Sequence, residues 1–271
     1  MKSFSIGEFA FKCGVTPDFI KYYEKRGLLF PQVNESGYRY FDATNTPYIN
    51  ECIKLKNWGF SAKEIETLLK STGYSKTVSL IHNRQSELEK QILFLQGLLA
   101  YGKEMSESLT LYTSPTPWNI KTRDSLYYLG QSRCFDFFPD EKRYVVLKDW
   151  LRWMPVTCTT ARVDSREEKA CIDWGFSVPK DFAEKIGIPL DHPVELIPET
   201  RCLEFYDRRL LPDDQDNDDL EQVRMGMFAN VQKVIDRHRF EVMGPSYFLV
   251  QTKMREGSSR YTYQKILVPI R

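Results

Sequence analysis

No stretch of this sequence constrains its fold more than the run from Ser75 to Tyr112. There Ile81, Gln85, Leu88, Ile92, Leu95, Leu99, Gly102, Ser106 and Leu109 alternate at spacings of four and three residues. That is a heptad seam, narrow and flanked by polar side chains such as Lys90, Gln91 and Gln96. The helix it predicts is on the order of 55 Å long at about 1.5 Å per residue, too long and too exposed along one stripe to be stable without a partner. A second copy of the chain laid along the seam is the expected partner, in an antiparallel or parallel coiled-coil dimer. Packing as a core helix on its own chain is the alternative.

Upstream of this helix the punctuation is local and explicit. Ser5 followed by Glu8 makes a capping box, and Gly14 supplies the stop of a first helix. Thr16 is an N-cap with Pro17 at the first helical position and Asp18 in the first turn, which predicts a second helix ending at Gly27. Two helices joined by a tight glycine-containing turn read as helix-turn-helix. Residues 31–41, PQVNESGYRYF, predict a small β-hairpin, a wing. A third helix is expected from Thr46–Pro47 to Trp58, and a fourth from Ser61, whose Glu64 makes a second capping box.

Thr113 to Pro117 reads as a short stiff linker, and strand-like runs follow it: 127–134, 156–163, 170–178, 201–206, 247–254 and 261–270. Two helices are predicted among them. One spans Asp140 to Met154, with Tyr144, Leu147, Trp150, Leu151 and Met154 on one face; the other spans Leu220 to His238. The resulting organisation is a mainly α winged helix-turn-helix at 1–73, a dimerisation coiled coil at 74–112, a linker at 113–119 and an α+β domain of two βαββ-like halves at 120–271.

Charge matters only locally. The whole chain carries 38 Lys plus Arg against 37 Asp plus Glu, but residues 21–63 hold seven basic and four acidic side chains. Within them Lys21, Tyr22 and Tyr23 place a cation and two phenols side by side, groups that satisfy phosphate oxygens and base edges. A Tyr-Tyr pair in a helix also fits one core and one surface residue. The six cysteines have no C-x-x-C and no metal-ligand spacing, and the three histidines are scattered, so no metal site is expected and the thiols are expected reduced, in the cytoplasm. The N-terminus lacks a signal pattern, and no run nears the roughly 20 apolar residues of a membrane span.

The order SIGEFA, CGVTPDFIKYYEKRGLL, GYRYF, IKLKNWGFSAKEIETLL and then the long helix resembles the MerR family of bacterial transcription regulators. The resemblance implies a homodimer through the long helix, with the second helix of each subunit in the major groove of double-stranded promoter DNA and the wing on the backbone. The interface set is then Thr16, Asp18, Lys21, Tyr22, Tyr23, Tyr38, Arg39, Tyr40 and Lys56. Lys21 departs from the family's usual arginine and loses a bidentate fork, while Pro47 shortens the start of the third helix. Metal-sensing members carry cysteines at the start of the long helix and beyond it, whereas this chain has none between Cys52 and Cys134.

The C-terminal part is similar to the GyrI-like effector domain of the multidrug-sensing, BmrR-like branch, through its Tyr144, Leu147, Trp150 pattern, Ile197–Pro198 before a strand and a terminal strand pair. The candidate ligand contacts are Tyr127, Tyr144, Leu147, Trp150, Trp174, Glu204, Phe248 and Gln264. Glu204 is singled out as an acid inside an apolar strand, able to hold a lipophilic cation among aromatic faces; a solvent-facing strand residue is the alternative. The branch has a buried Glu in its penultimate strand where this chain has Phe248, and Gln264 replaces an acid on the last strand, a departure that favours aromatic cages or less cationic ligands. The acidic run from Asp213 to Glu221 alternates like a calcium loop, but Asp219 stands where glycine is required and Met225 where glutamate is, so a solvated loop is expected.

The function implied is a ligand-responsive regulator that holds a pseudo-palindromic promoter spacer as a homodimer and distorts it for RNA polymerase when a lipophilic, cationic aromatic compound binds. No cofactor, membrane or catalytic residue enters this reading. The alternatives are a GyrI-like hydrolase, using Glu204 as a general base, or a drug-sequestering binding protein.

Overall fold

The computed structural model describes residues 3–70, 73–134, 136–167, 171–211 and 220–271, and the acidic run from Asp213 to Asp219 lies outside these described residues. The chain divides into two compact units, Met1–Glu89 and Lys90–Arg271. The boundary falls inside one continuous helix, α5 (Tyr74–Leu111).

In the N-terminal unit, helix α1 (Ile6–Lys12) begins at a complete capping box: the Ser5 hydroxyl accepts from the Glu8 amide, and the Glu8 carboxylate accepts from the Ser5 amide at 2.9 Å. Gly14, at φ 68°, ends it in a left-handed conformation that costs a residue with a side chain. Helix α2 (Pro17–Lys25) is capped by Thr16, whose hydroxyl accepts from the Phe19 amide at 3.2 Å. Strands β1 (Gln32–Val33) and β2 (Arg39–Tyr40) pair antiparallel as the predicted wing. Helix α3 (Thr46–Asn57) has Pro47 in its first turn, where a missing amide proton leaves no hydrogen bond unmade. Helix α4 (Ala62–Lys70) starts at the second capping box, Ser61 with Glu64. Phe9, Ile20, Leu29, Phe41, Ile49 and Ile65 are the fully buried centre, with Phe9 stacked on Phe41 at 5.0 Å. Ile81 of α5 packs against this core, and the Arg84 side chain donates to the Trp58 carbonyl at 2.8 Å. The first residue of the predicted seam is therefore spent on its own chain.

In the C-terminal unit nine strands among the described residues form one antiparallel sheet. They are β3 (Trp118–Arg123), β4 (Leu126–Arg133), β5 (Asp136–Phe137), β6 (Cys158–Val163), β7 (Asp173–Pro179), β8 (Glu195–Ile197), β9 (Thr200–Leu211), β10 (Ser246–Glu256) and β11 (Ser259–Pro269). The order across the sheet is β3-β9-β11-β10-β6-β7-β4-β5, with β8 also paired to β4. Strands β3, β5 and β8 are additions to the predicted set. Helix α6 (Glu141–Trp150) is shorter than predicted because the chain tightens into a 3-10 turn at Leu151–Trp153. That change of phase leaves Leu151 and Met154 exposed rather than on the inner face. A third helix, α7 (Lys180–Ile186), was not expected from the sequence, and α8 (Leu220–His238) spans its predicted residues. The unit is thus α+β, as expected.

Strand alternation gives the sheet two unlike faces. Leu203, Phe205, Phe248, Ile266 and Val268 pack under Met227, Phe228, Val231 and Ile235 of α8. Cys202, Tyr206, Tyr247, Tyr263 and Leu267 fall in clusters apart from that core, and Leu111 and Tyr112 at the end of α5 pack on Tyr206 and Tyr263. A further core joins Leu129, Phe176 and Val178 to Leu147 and Trp150 of α6 and to Ala183 and Ile186 of α7.

The expectation of six free thiols is corrected in one place: Cys134 and Cys171 are joined in a disulfide. They lie 37 residues apart, and the β4–β7 ladder brings them together, since Arg133 pairs with Asp173 and the two Cα atoms are 4.9 Å apart. Cys13, Cys52, Cys158 and Cys202 are free.

Candidate functional site

The N-terminal unit presents cations around α2. Its apolar spacing turns Ile20 and Tyr23 inward, and Tyr23 is only 3 % exposed while Tyr22 is 43 % exposed. Of the tyrosine pair only Tyr22 is a surface group; Tyr23, expected at the DNA, belongs to the core. The signal was available in the sequence, because Tyr23 lies three residues from Ile20 and so on the same face. Lys21 pairs with Asp18 at 3.2 Å, and both are exposed. The Arg26 guanidinium lies 3.7 Å from the Tyr22 ring centre. Arg39, in the wing, bridges to Glu24 of α2 at 3.1 Å, and Lys56 of α3 lies 5.2 Å from the Phe19 ring centre. Tyr38 is exposed, Tyr40 is half-buried, and the Thr16 hydroxyl is occupied as the helix cap. The exposed ion pairs are weak, each worth less than about 1 kcal/mol, so these cations exchange readily onto phosphate oxygens.

The second site is a cavity of about 620 Å³ in the C-terminal unit, between residues Tyr101 to Leu111 of α5 and the sheet face away from α8. Tyr101, Tyr206, Leu111, Val156, Leu249 and Leu267 give it apolar and aromatic walls. Glu204 lies in this cavity and is 1 % exposed, which corrects the alternative of a solvent-facing residue. Its carboxylate accepts from the Tyr206 hydroxyl at 2.5 Å and from the Lys121 ammonium at 2.9 Å. Burial, and then the bond to Glu204, push the Tyr206 phenol above its ordinary range, so it stays protonated and donates. A second ion pair joins Lys265 of β11 to Glu104 of α5. Tyr101 donates to the Gln251 carbonyl at 2.9 Å, and the Tyr112 hydroxyl bonds the Gln251 side chain.

The other predicted ligand contacts lie elsewhere. Tyr144 donates to the Phe138 carbonyl at 2.7 Å, Trp150 donates to the Pro189 carbonyl at 3.0 Å, and Leu147 packs with them in the α6–α7 core. Tyr127 borders that core and donates to Glu184. Phe248 and Trp174 belong to the core under α8, and Gln264 donates to buried Asp207 at 2.9 Å. Sheet alternation places Phe248 and Gln264 on the face opposite Glu204. Lys121, Glu104, Tyr101, Tyr206, Gln251 and Lys265 also line the cavity and were not among the predicted contacts. Tyr206 had a signal, being two residues from Glu204 on one strand; the others arrive only through tertiary pairing.

Among the described residues no group of three His, Cys, Asp or Glu is placed to hold a metal ion, and no helix is long and apolar enough to cross a membrane. The cavity's thiol, Cys158, is pushed up to about 12 by burial and is a poor nucleophile.

Comparison with known proteins bears on the N-terminal unit most directly. Residues 4–72 match the family model of the MerR HTH family regulatory proteins. A mercuric resistance operon regulatory protein of Bacillus cereus is 29 % identical over 122 residues, covering 41 % of this chain and 92 % of that one. A multidrug-efflux transporter 2 regulator of Bacillus subtilis (strain 168) is 30 % identical over 98 residues, 36 % of each chain. The cryo-EM structure of an EcmrR–DNA complex aligns over 98 % of this chain and 99 % of that one, at 17 % identity and a TM-score of 0.36. The family model and the two Bacillus relatives are described as transcription regulators, and none of them as an enzyme. Residues 4–72 are thus similar to the helix-turn-helix of the MerR family of regulatory proteins.

Proposed function

We infer that this regulator is a homodimeric activator whose C-terminal unit, a GyrI-like effector domain, binds a lipophilic cation with aromatic character. Glu204 carries the reading: a carboxylate buried in a cavity walled by Tyr101, Tyr206 and aliphatic side chains is a poorly hydrated anion beside π faces, the environment that favours a weakly hydrated cation over water. A relative matched over 98 residues regulates a multidrug-efflux transporter, which is in keeping with a drug-like ligand. In this reading the dimer holds a pseudo-palindromic promoter spacer, the ligand favours one DNA geometry over another, and the distorted promoter engages RNA polymerase in the cytoplasm. Distortion costs of a few kcal/mol are within the binding energy of one ligand.

Glu204→Gln tests the ligand site, since the amide oxygen still accepts from Tyr206 while the charge is removed. Titration of tryptophan fluorescence with methyltriphenylphosphonium is expected to show at least about tenfold weaker binding in the variant, with neutral triphenylphosphine oxide unchanged. Equal phosphonium affinity in both proteins contradicts the assignment.

The DNA surface is tested on an operator selected from a random duplex library. Arg39→Ala is expected to weaken binding by about 1 kcal/mol and to lower the salt slope by about 0.9 for each phosphate that the arginine neutralises, and Tyr22→Ala to weaken binding similarly. Unchanged affinity in a gel-shift titration at fixed salt removes both residues from the interface.

A further inference from the structure

On the cation-site reading of the cavity, we propose that Lys121 is a tethered competitor. Its ammonium sits on the Glu204 carboxylate where a ligand's cation must go, so ligand entry is an exchange of one cation for another. The geometry is specific. Glu204 is 1 % exposed, whereas the Lys121 side chain is 52 % exposed, so the carboxylate is fixed in the interior while the lysine reaches it from the rim. In the β3–β9 ladder Glu204 stands opposite Asn119 and Lys121 opposite Cys202, so the lysine meets the carboxylate diagonally, two residues along the strand.

Leaving a buried carboxylate without its partner is strongly unfavourable, so a cation beside it is stabilising with or without ligand. Lys121 supplies it at rest. Its flexible stem lets the ammonium swing into water when displaced, where it is strongly hydrated. The other cavity lysine is less free to do this: the Lys265 side chain is 12 % exposed and is paired with Glu104 of α5.

Selectivity follows from the exchange. An incoming primary ammonium gives up as much hydration as the departing lysine regains, and gains little. A quaternary or delocalised cation gives up much less, and the difference favours it. A neutral ligand leaves the Lys121–Glu204 pair intact. Lys121 is thus a specificity-determining residue that sets a threshold for the cation admitted.

Calorimetric titration of the full-length wild type, Lys121→Met, Lys121→Arg and Glu204→Gln with methyltriphenylphosphonium and triphenylphosphine oxide tests this. Lys121→Met is expected to bind the phosphonium at least about tenfold tighter than wild type, Lys121→Arg no tighter, and the oxide equally in all four. Lys121→Gln carries the same expectation and serves if the methionine variant does not fold. Tighter phosphonium binding confined to the uncharged variants, or binding by them where wild type shows none, supports the exchange. Wild-type binding of the phosphonium with unchanged or weaker binding by the uncharged variants overturns the competitor role and leaves the cation site standing. Absence of phosphonium binding in wild type and uncharged variants alike overturns both.

Discussion

Replacing Leu95 and Leu99 together by glutamate is expected to turn the protein into a monomer and to reduce operator affinity by about 10²–10⁴-fold, the factor forfeited when two half-sites are no longer engaged by one linked pair. Helix α5 has two apolar faces. Leu93 and Phe94 pack on their own unit, with Phe94 against Trp153 at 5.3 Å, and Tyr101, Glu104, Ser108 and Leu111 continue that face along the cavity. On the other side Ile92, Leu95, Leu99 and Leu109 are exposed, Leu95 and Leu99 to 62 % and 63 %. Such a stripe on a helix otherwise well supported by its own domain calls for a partner, and the seam's regular spacing fits a second copy of α5. Glutamate is a good helix former and both positions face solvent in the isolated chain, so monomer stability is expected to change by no more than about 0.5 kcal/mol. Sedimentation equilibrium decides the matter: a variant that stays dimeric at micromolar concentration shows that the dimer uses another surface.

The largest stability effect is expected at Gly175, in the middle of β7. A Cβ there comes 2.2 Å from the Leu129 carbonyl oxygen and 2.8 Å from the Gly130 Cα, both backbone atoms of the paired strand β4. No side chain can move aside to relieve the clash. Gly130 and Gly175 stand opposite each other in the ladder, and the register slips between Gly130 and Ser132, so two glycines pass where side chains do not fit. Gly175→Ala must separate β4 from β7 between the cores on either side, at a cost of about 3 kcal/mol. For a unit of this size that is a fall in Tm of roughly 6–12 °C. Trp118, Trp150, Trp153 and Trp174 report on this unit, so the shift is readable by tryptophan fluorescence. A melt within about 2 °C of wild type shows that the strands separate at little cost.

The N-terminal unit was legible because its signals are local. Ser5 with Glu8, Thr16 with Pro17 and Ser61 with Glu64 each act within one turn, and each forms in the structure as the residues dictate. Phase was the one thing overlooked there: Tyr22 and Tyr23 are chemically alike, and only their angle relative to Ile20 separates surface from core. The cavity was legible in its acid and nothing else. Glu204 stands out inside an apolar run, but Lys121 lies 83 residues away, on a strand whose side chains from Asn119 to Thr122 are all exposed and so show no alternation. Helix α7 hides for a different reason, since seven residues hold fewer than two turns of periodicity. The aromatic positions 144, 150 and 248 lie in cores rather than at the cavity, and an aromatic side chain inside a helix or strand reads the same in either place.

The location of Lys121 has an evolutionary consequence. Strand β3 is the terminal strand of the sheet's path and is paired to β9, so an exchange at position 121 disturbs one ladder and reaches the interior only through the ion pair with Glu204. Glu204, by contrast, sits with the buried residues of a strand paired on both sides. On the proposed exchange, the part of the cavity that selects the cation is at the sheet's margin, while the acid that demands one is held by the fold. On the same proposal, a lineage of such regulators changes its chemical repertoire most readily through substitutions at this margin that keep Glu204 paired.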